Sequence, residues 1–466
     1  MEASTIQRYV RNHERQLIEG LSRLVSIDST LGEPGPGAPF GPGPAAALEE
    51  ALRLSADWGL PGENLEGYVG VVDLNHRETA LHILGHLDVV PAGEGWTVTE
   101  PFTPLLRNGM LYGRGSSDDK GPMAAALLAM QTIKELGVPL KRNVRLILGT
   151  DEETGFRDIQ WYFARHPHAP FTLSPDADFP IINIEKGHYQ PTFSASWSPE
   201  TVLPRVTSFT GGPRLNMVPP KARAFVLGLG SDEIRQAAGH LSLEPEITFQ
   251  LTEEDGGVSI LCSGQNAHGS TPEEGHNAQT ALLSLLSSLP LADCSSTRAI
   301  RSMAEMFPHG DHTGQSLGIA QADELSGALS LAFTMLSLSD VGFEARFDSR
   351  TPLCGTEESI RDVTRRAMER ACFSLTGEID PPHHVPADSP FIKTLSRAYE
   401  AYTGQPGHCL AIGGGTYVHG IPGGVAFGAN MPGFVCNLHG PDERVRVEDL
   451  LITAMIYAQV IVDLCA

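Results

Sequence analysis

Side chains that could bind metal recur at five places along the chain. They are imidazoles and carboxylates in segments that contain glycine or proline: His86 with Asp88, Asp118, Glu152 with Glu153, Asp176, and His439. Such ligands without thiolate suit zinc, manganese or cobalt. Two ions bound side by side need a bridging carboxylate as well as terminal ligands, and the set contains enough of both. The residue types therefore favour a site for two divalent metal ions, with zinc as the first choice.

Each of these places, taken alone, has a common structural explanation. A single histidine at a strand end is usually a hydrogen-bonded structural residue, and an acidic pair such as Glu152–Glu153 is common at an exposed helix start. Chance explains poorly why all five occur in order along one chain, with glycines around them. The chemical interpretation therefore depends on the elements that would bring the five places together.

Strands and helices alternate in the first third of the chain. Residues 67–74, 80–91 and 142–149 are predicted strands, and apolar spacing predicts helices over about 5–27 and 121–136. This alternation implies an α/β layer with a mostly parallel sheet. Ligands of such sheets bind beyond the carboxyl ends of the strands, and three of the metal-type clusters directly follow a predicted strand.

The pattern changes after residue 186, where short strand-like segments dominate, and it returns from about Pro381. We therefore predict an α/β catalytic domain with a mostly parallel central sheet, formed by residues 1–186 and 381–466. An inserted α+β lid domain, residues 187–380, would interrupt it. A chain of 466 residues exceeds the size of one core, which agrees with two domains.

The charge balance excludes whole classes of partner. Lys and Arg number 33 against 56 Asp and Glu, a net charge of −23 that would repel nucleic acid and anionic membranes. The chain begins without a signal-like apolar stretch and has no apolar run long enough to span a bilayer. Its seven cysteines are scattered and never spaced as CxxC. Reduced thiols in the cytoplasm are the simplest explanation.

Five motifs occur in an order that is similar to a known family. They are GHLDVVP, GRGSSDDKG, TDEETG, SPDADFP with IEKG, and NLHGPDE. The chain resembles the aminoacylase and carboxypeptidase G-type dizinc metallopeptidases, and among them the PepV-like, or Xaa-His, dipeptidases. The resemblance covers nearly the whole chain. It implies a hydrolase in which a water activated by two metal ions cleaves the amide bond of a dipeptide.

The resemblance also implies a role for each metal-type residue. Asp118 would bridge both ions, His86 and Asp176 would complete one site, and Glu153 and His439 would complete the other. These assignments give a metal-binding role to every residue of the five places except Asp88 and Glu152.

Those two acids receive supporting roles. Glu152 matches the family's general base, and it can act so only if it is not itself a ligand. Asp88 would fix the tautomer and orientation of His86 from behind. In the family the peptide bond after the bridging aspartate is cis, which here is the bond between Asp118 and Asp119.

Motifs of the predicted lid would contact the substrate. NMVP contributes Asn216 and AHGSTPEEG contributes His268, which could donate to the oxyanion of a tetrahedral intermediate, and FDSRTP contributes Arg350 for a carboxylate. For Arg350 a surface salt bridge is the alternative.

A glycine-rich segment follows in the returning part of the chain. AIGGGTY, with Gly414, Gly415 and Thr416, could offer backbone N–H groups to a terminal carboxylate. It could equally be a tight turn without a ligand.

Three functions remain compatible with these residues. The dipeptidase is the first. The second is an N-acyl-amino-acid deacylase or desuccinylase on the same scaffold. Its substrate, unlike a dipeptide, would have no free amine. A non-catalytic metal- or peptide-binding protein is the third, and the presence of Glu152 with all five ligand positions disfavours it. The large lid predicts a monomer that acts on a small peptide substrate.

Overall fold

The computed structural model describes residues 3–466. Its α-helices within this range are α1 (Ala3–Asn12), α2 (Glu14–Val25), α3 (Pro42–Asp57), α4 (Lys120–Glu135), α5 (Arg157–Phe163), α6 (Ser231–Ala238), α7 (Ala278–Ser288), α8 (Ser295–Met306), α9 (Arg361–Arg370), α10 (Pro390–Thr403) and α11 (Val447–Cys465). Two short 3₁₀ helices cover Pro272–Glu274 and Tyr417–Gly420.

The strands follow the same chain order. They are β1 (Gly62–Leu65), β2 (Val69–Asp73), β3 (Thr79–His86), β4 (Leu105–Arg107), β5 (Met110–Tyr112), β6 (Asn143–Gly149), β7 (Phe171–Ser174), β8 (Ala177–Asp178), β9 (Ile181–Glu185), β10 (Gly187–Tyr189), β11 (Thr192–Ser196), β12 (Arg205–Gly211), β13 (Lys221–Leu227), β14 (Thr248–Glu254), β15 (Gly257–Ser263), β16 (Ala322–Asp323), β17 (Gly327–Ala328), β18 (Ser330–Ser339), β19 (Gly342–Thr351), β20 (Ser374–Thr376), β21 (Ile379–Asp380), β22 (His383–His384), β23 (Cys409–Ile412), β24 (Gly424–Ala426), β25 (Ala429–Asn430) and β26 (Arg444–Arg446).

Contacts between residues divide the chain into two units. The first runs through Ile184 and also contains His384–Leu410 and Gly415–Ala466, and the second contains Glu185–His383 with Ala411–Gly414. The domain boundaries inferred from sequence, at 186/187 and 380/381, stay a prediction. Unlike that prediction, the contacts group Ala411–Gly414 with the second unit.

The first unit is built on a mixed sheet whose centre is parallel. Its strand order includes β1-β2-β6-β3-β7-β24-β9. β3 is parallel to β6 and β7, and β24 is parallel to β7. β1 and β2 run antiparallel at one edge. The parallel centre places the carboxyl ends of β6, β3 and β7 along one edge.

Apolar residues on both faces of the central strands explain why this sheet is covered on each side. In β3, Leu81 and Ile83 belong to a large core with helices α1, α2, α4, α10 and α11, whereas Leu84 belongs to a separate cluster. Tyr162 of α5 and Tyr417 complete that second cluster. Because successive side chains of a strand point to opposite faces, the continuous apolar run of β3 fills both.

The N-terminal helix predicted over about 5–27 is two helices. The break lies at His13, which has a non-helical φ of −109° and precedes α2. Its ring stacks on Tyr9 at 4.0 Å between centroids, and its Nδ1 lies 2.7 Å from the Tyr9 carbonyl oxygen. A side chain that takes over a helix carbonyl in this way ends α1 without disturbing the apolar period.

The second unit contains an antiparallel sheet with helices on it. The order is β14-β15-β13-β12-β18-β19-β10-β21, with β11 beside β19. α7 and α8 supply buried residues such as Leu282, Leu286, Ile300 and Met303 to its core. The fold class expected from the sequence, α/β with a mostly parallel central sheet plus an α+β unit, is confirmed. Within residues 3–466, no helix meets the length and hydropathy that a membrane span requires.

Candidate metal centre

Three neighbouring parallel strands bring several of the predicted site residues to one edge of the sheet. His86 is the last residue of β3, and it pairs in register with Gly149, the last residue of β6. Glu152 and Glu153 follow β6 within a few residues, and Asp176 follows β7. The sequence thus places these side chains together through strand order alone, as open α/β sheets do.

Asp118 stands between two histidines. Its Oδ1 lies 2.9 Å from Nε2 of His86, and its Oδ2 lies 2.9 Å from Nε2 of His439. Asp176 approaches the first histidine at 3.7 Å, and Glu153 approaches the second at 3.4 Å. A carboxylate with one oxygen toward each group is the arrangement that a bridging ligand needs.

The donor atoms accordingly form two groups that share Asp118. His86, Asp118 and Asp176 form one, and Asp118, Glu153 and His439 form the other, with the candidate ligand atoms of each within 4.8 Å of one another. These are the two sets that the family resemblance implies. The peptide bond between Asp118 and Asp119 is cis, as the resemblance also implies.

The buried carboxylates of the centre would be stabilised by added positive charge. Burial, followed by the charge of Asp118, raises the pKa of Asp176 to about 7, and burial with neighbouring carboxylates raises the pKa of Glu153 and Glu152. Burial opposes protonation of His439, but hydrogen bonds to Asp118 and Glu153 raise its pKa to about 11. Carboxylates packed this closely repel one another unless cations separate them, so the donor set fits two divalent ions.

Asp88 lies behind His86 and contacts it through its backbone. Nδ1 of His86 lies 3.0 Å from the main-chain oxygen of Asp88, and 3.5 Å from its carboxylate. The carbonyl accepts from Nδ1, which leaves Nε2 as the nitrogen that faces Asp118. The carboxylate itself accepts the backbone N–H groups of Glu152 and Glu153, each at 3.1 Å. Asp88 therefore fixes the loop of two consecutive acids as well as the imidazole.

Glu152 is half-buried and belongs to neither ligand group, although its charge interacts with those of Asp176, His86 and Glu153. It shares with Glu153 the backbone anchor on Asp88, yet only Glu153 belongs to a ligand group. A carboxylate beside a metal pair but outside its ligands can exchange protons with a reacting water.

Two further residues that sequence reasoning missed support the same loop. Asp158 accepts the backbone N–H groups of Thr150 at 2.7 Å and Asp151 at 3.1 Å, and it accepts the hydroxyl of Tyr417 at 2.5 Å. The ring of Tyr417 lies edge-on to His86 at 6.2 Å between centroids. In the sequence Asp158 is one more acid near a helix start, and Tyr417 is one more apolar aromatic, so neither gave a signal.

In the second unit, the predicted oxyanion donors are neighbours. The chain near Asn216 pairs with the segment of His268 through a bridge between Met217 and His268 and a 2.8 Å bond from Gly269 N–H to the Asn216 carbonyl. Asn216 and His268 are both exposed. Nδ1 of the histidine lies 2.6 Å from the Ser270 hydroxyl.

Arg350 is buried rather than exposed. Its Nε and Nη2 donate to the two oxygens of Asp348 at 2.9 and 2.8 Å, and its Nη1 contacts Nε2 of His188 at 2.8 Å and the Gly413 carbonyl. Every nitrogen of the Arg350 guanidinium therefore already has a partner, so a carboxylate ligand would have to share or displace one of them.

The glycine-rich segment divides between the units. Gly414 lies with the second unit, and Gly415 and Thr416 lie with the first. Thr416 is buried, and its hydroxyl accepts the Val418 N–H as the cap of a 3₁₀ helix. Thr416 therefore has a structural role as a helix cap, whether or not it also contributes to binding.

Comparison with known proteins gives a consistent result. A model of peptidase family M20/M25/M40 matches residues 82–463. The chain is 33% identical over 453 residues to the Beta-Ala-Xaa dipeptidase of Lactobacillus delbrueckii subsp. lactis, with 96% of each chain covered. It is 36% identical over 458 residues to the "Putative dipeptidase YtjP" of Bacillus subtilis (strain 168), with 97% of each covered. In fold it is similar to human carnosine dipeptidase 1, with a TM-score of 0.58 at 15% identity over 100% of this chain and 99% of that one.

Proposed function

Because the chain belongs to peptidase family M20/M25/M40, we propose that it is a metal-dependent dipeptidase. The similarity of this chain, nearly end to end, to a Beta-Ala-Xaa dipeptidase supports a dipeptide as the substrate. The two ligand groups that share Asp118 support a centre with two ions.

The mechanism depends on one observation, namely that the two adjacent glutamates differ in their relation to the ligand groups. Glu153 belongs to a ligand group with Asp118 and His439, whereas Glu152, anchored on the same carboxylate of Asp88, belongs to neither group. Bound divalent ions would lower the pKa of a shared water toward about 7 and polarise the scissile carbonyl. Glu152 would then accept the proton of the attacking water and deliver it to the leaving amine.

The remaining predicted site residues would act on the substrate. We propose His268 and Asn216 as donors to the oxyanion, with Arg350 and the backbone of Gly414 and Gly415 near a substrate carboxylate. The exposure of Asn216 and His268 supports a role in binding. Because each guanidinium nitrogen of Arg350 already has a partner, a single donor is favoured over a bidentate clamp.

The native ions are proposed to be zinc, with manganese or cobalt as alternatives, since the ligands are imidazole and carboxylate without thiolate. All seven cysteines, which lie within residues 3–466, are free thiols there, and this supports a reducing compartment, the cytoplasm. We also propose a monomer.

A substrate panel with and without metal tests the function. The purified enzyme is stripped with a chelator, the metal content is measured, and zinc, manganese or cobalt is added back. Hydrolysis of β-Ala-X and Ala-X dipeptides should disappear on stripping and return with metal. Acetylated and succinylated amino acids serve as the comparison. Faster cleavage of the acylated substrates would assign the deacylase function instead, and full activity without metal would refute the two-ion mechanism.

A further inference from the structure

A buried ion pair is hydrogen-bonded to the backbone of two candidate metal ligands, Asp118 and His439. Nη1 of Arg114 donates to Oε2 of Glu443 at 2.6 Å, and both side chains are only 1% exposed. Arg114 belongs to the motif that contains Asp118, and Glu443 belongs to the motif that contains His439. The pair thus joins two segments that are far apart in sequence and that both contribute ligands.

Each member of the pair holds the backbone of the opposite segment. Oε1 of Glu443 accepts the N–H of Ser117 at 2.9 Å and the N–H of Asp118 at 3.3 Å. Nη2 of Arg114 donates to the carbonyl oxygens of His439 and Gly440, each at 3.2 Å. Glu443 therefore holds the main chain at Asp118, the proposed bridging ligand. Arg114 holds the main chain at His439, a proposed terminal ligand.

The segment that carries His439 depends on such bonds. Asn437, His439 and Asp442 all have left-handed φ values, between 54° and 58°, which non-glycine residues seldom adopt. No helix or strand covers residues 431–443, so the backbone around His439 lacks a hydrogen-bonded ladder. Arg114 is planar and presents several donors in fixed directions, so it can satisfy Glu443 and the carbonyls at the same time.

Burying two charges is expensive, and a buried ion pair is weak support for stability alone. Apolar side chains at these two positions would cost less free energy to bury than a pair of charges. The presence of the ion pair therefore suggests that the exact placement of the two segments matters. We propose that Arg114 and Glu443 are positioning residues that set Asp118 against His439. They would thereby determine the affinity of the metal group formed by Asp118, Glu153 and His439. The inference rests on the two-ion centre of the proposed function, but not on the substrate.

The test is metal affinity, measured by titrating the stripped full-length protein with zinc against a chromophoric chelator. Arg114→Lys keeps the charge but replaces the donor fork with a single ammonium group. It is made in two backgrounds, Asp176→Asn and Glu153→Gln, each of which removes a ligand from one group. In the Asp176→Asn background, we expect Arg114→Lys to weaken the affinity for the remaining zinc ion about 10–100-fold. In the Glu153→Gln background, we expect the affinity to change less than about threefold.

Arg145→Lys is the matched control. Arg145 also pairs with an acid of the same unit, Asp73, through two bonds at 2.9 and 2.7 Å, but this pair is only partly buried. It lies on β6 away from the ligand loops. We expect it to leave both metal affinities unchanged. If Arg114→Lys does not give folded protein, the neutral pair Arg114→Gln with Glu443→Gln replaces it in the same comparison.

Three results would overturn the proposal. They are unchanged affinity in both backgrounds, an equal loss in both, or the same selective loss in the Arg145→Lys control. A wild-type protein that binds two ions but leaves dipeptides intact would refute the proposed function and would leave this inference standing, since the titration needs no substrate.

Discussion

Exchanging each of two adjacent glutamates for glutamine should separate proton transfer from metal binding. Glu152→Gln and Glu153→Gln are the same chemical change one residue apart. Both backbone N–H groups are bonded to Asp88, so neither substitution removes the anchor of the loop. Both also replace a carboxylate that crowds other buried acids with a neutral amide of equal size, so neither variant is expected to unfold.

The expected effects differ in kind. Glu152 is outside both ligand groups, so Glu152→Gln should keep two ions per chain and lower kcat by about 10²–10⁴, the usual contribution of a general base. That factor is an increase of about 2.7–5.4 kcal/mol in the activation free energy. Oε1 of Glu153 lies 3.4 Å from Nε2 of His439 and would be a ligand with it. Glu153→Gln should therefore reduce the metal content to about one ion.

The assay is elemental analysis after dialysis at a fixed free zinc concentration, together with kcat on one dipeptide. Near-ultraviolet circular dichroism of both variants controls for folding. Equal metal content in the two variants would refute the division of roles. So would a kcat for Glu152→Gln within a few-fold of wild type when both ions are bound.

Two further predictions concern the lid residue and the assembly. His268→Ala should keep two ions and nearly normal KM while its kcat falls by about 10²–10³, because a donor to the oxyanion acts mainly in the transition state; loss of an ion, or a change confined to KM, would contradict this. Static light scattering should give a monomer at assay concentration, and a stable dimer whose activity falls on dilution would contradict that expectation.

Much of the fold could be predicted because local patterns and tertiary structure agree. β3 and β6 are apolar runs that end at His86 and Gly149, and both were visible as strands followed by metal-type residues. Parallel strand order then makes their carboxyl ends meet, which needs no knowledge of individual contacts. The break at His13 was not visible, because the apolar period continues through it and only a side-chain contact with Tyr9 marks it.

The ligands of the site were accessible to sequence reasoning for a similar reason. Imidazole and carboxylate groups at strand ends have a recognisable chemistry even before they are brought together. The residues that position them do not. Asp88 illustrates the difference: its place two residues after His86 suggested a carboxylate behind the ring, whereas in the structure its carbonyl contacts the ring and its carboxylate serves the glutamate loop.

Glu443 shows why positioning residues escape sequence analysis. It follows Asp442 at the end of a motif that looks like a charged, solvated turn. Asp442 is half-buried and accepts the backbone N–H and the hydroxyl of Thr97. Glu443 is instead fully buried and bonded to Ser117, more than three hundred residues away in sequence. Both acids have partners far away in sequence, and burial distinguishes these two neighbours of identical charge. Neither the partners nor the burial is encoded locally. The chemistry of a metal centre can thus be inferred from its ligands, but its affinity depends on contacts that only the folded chain reveals.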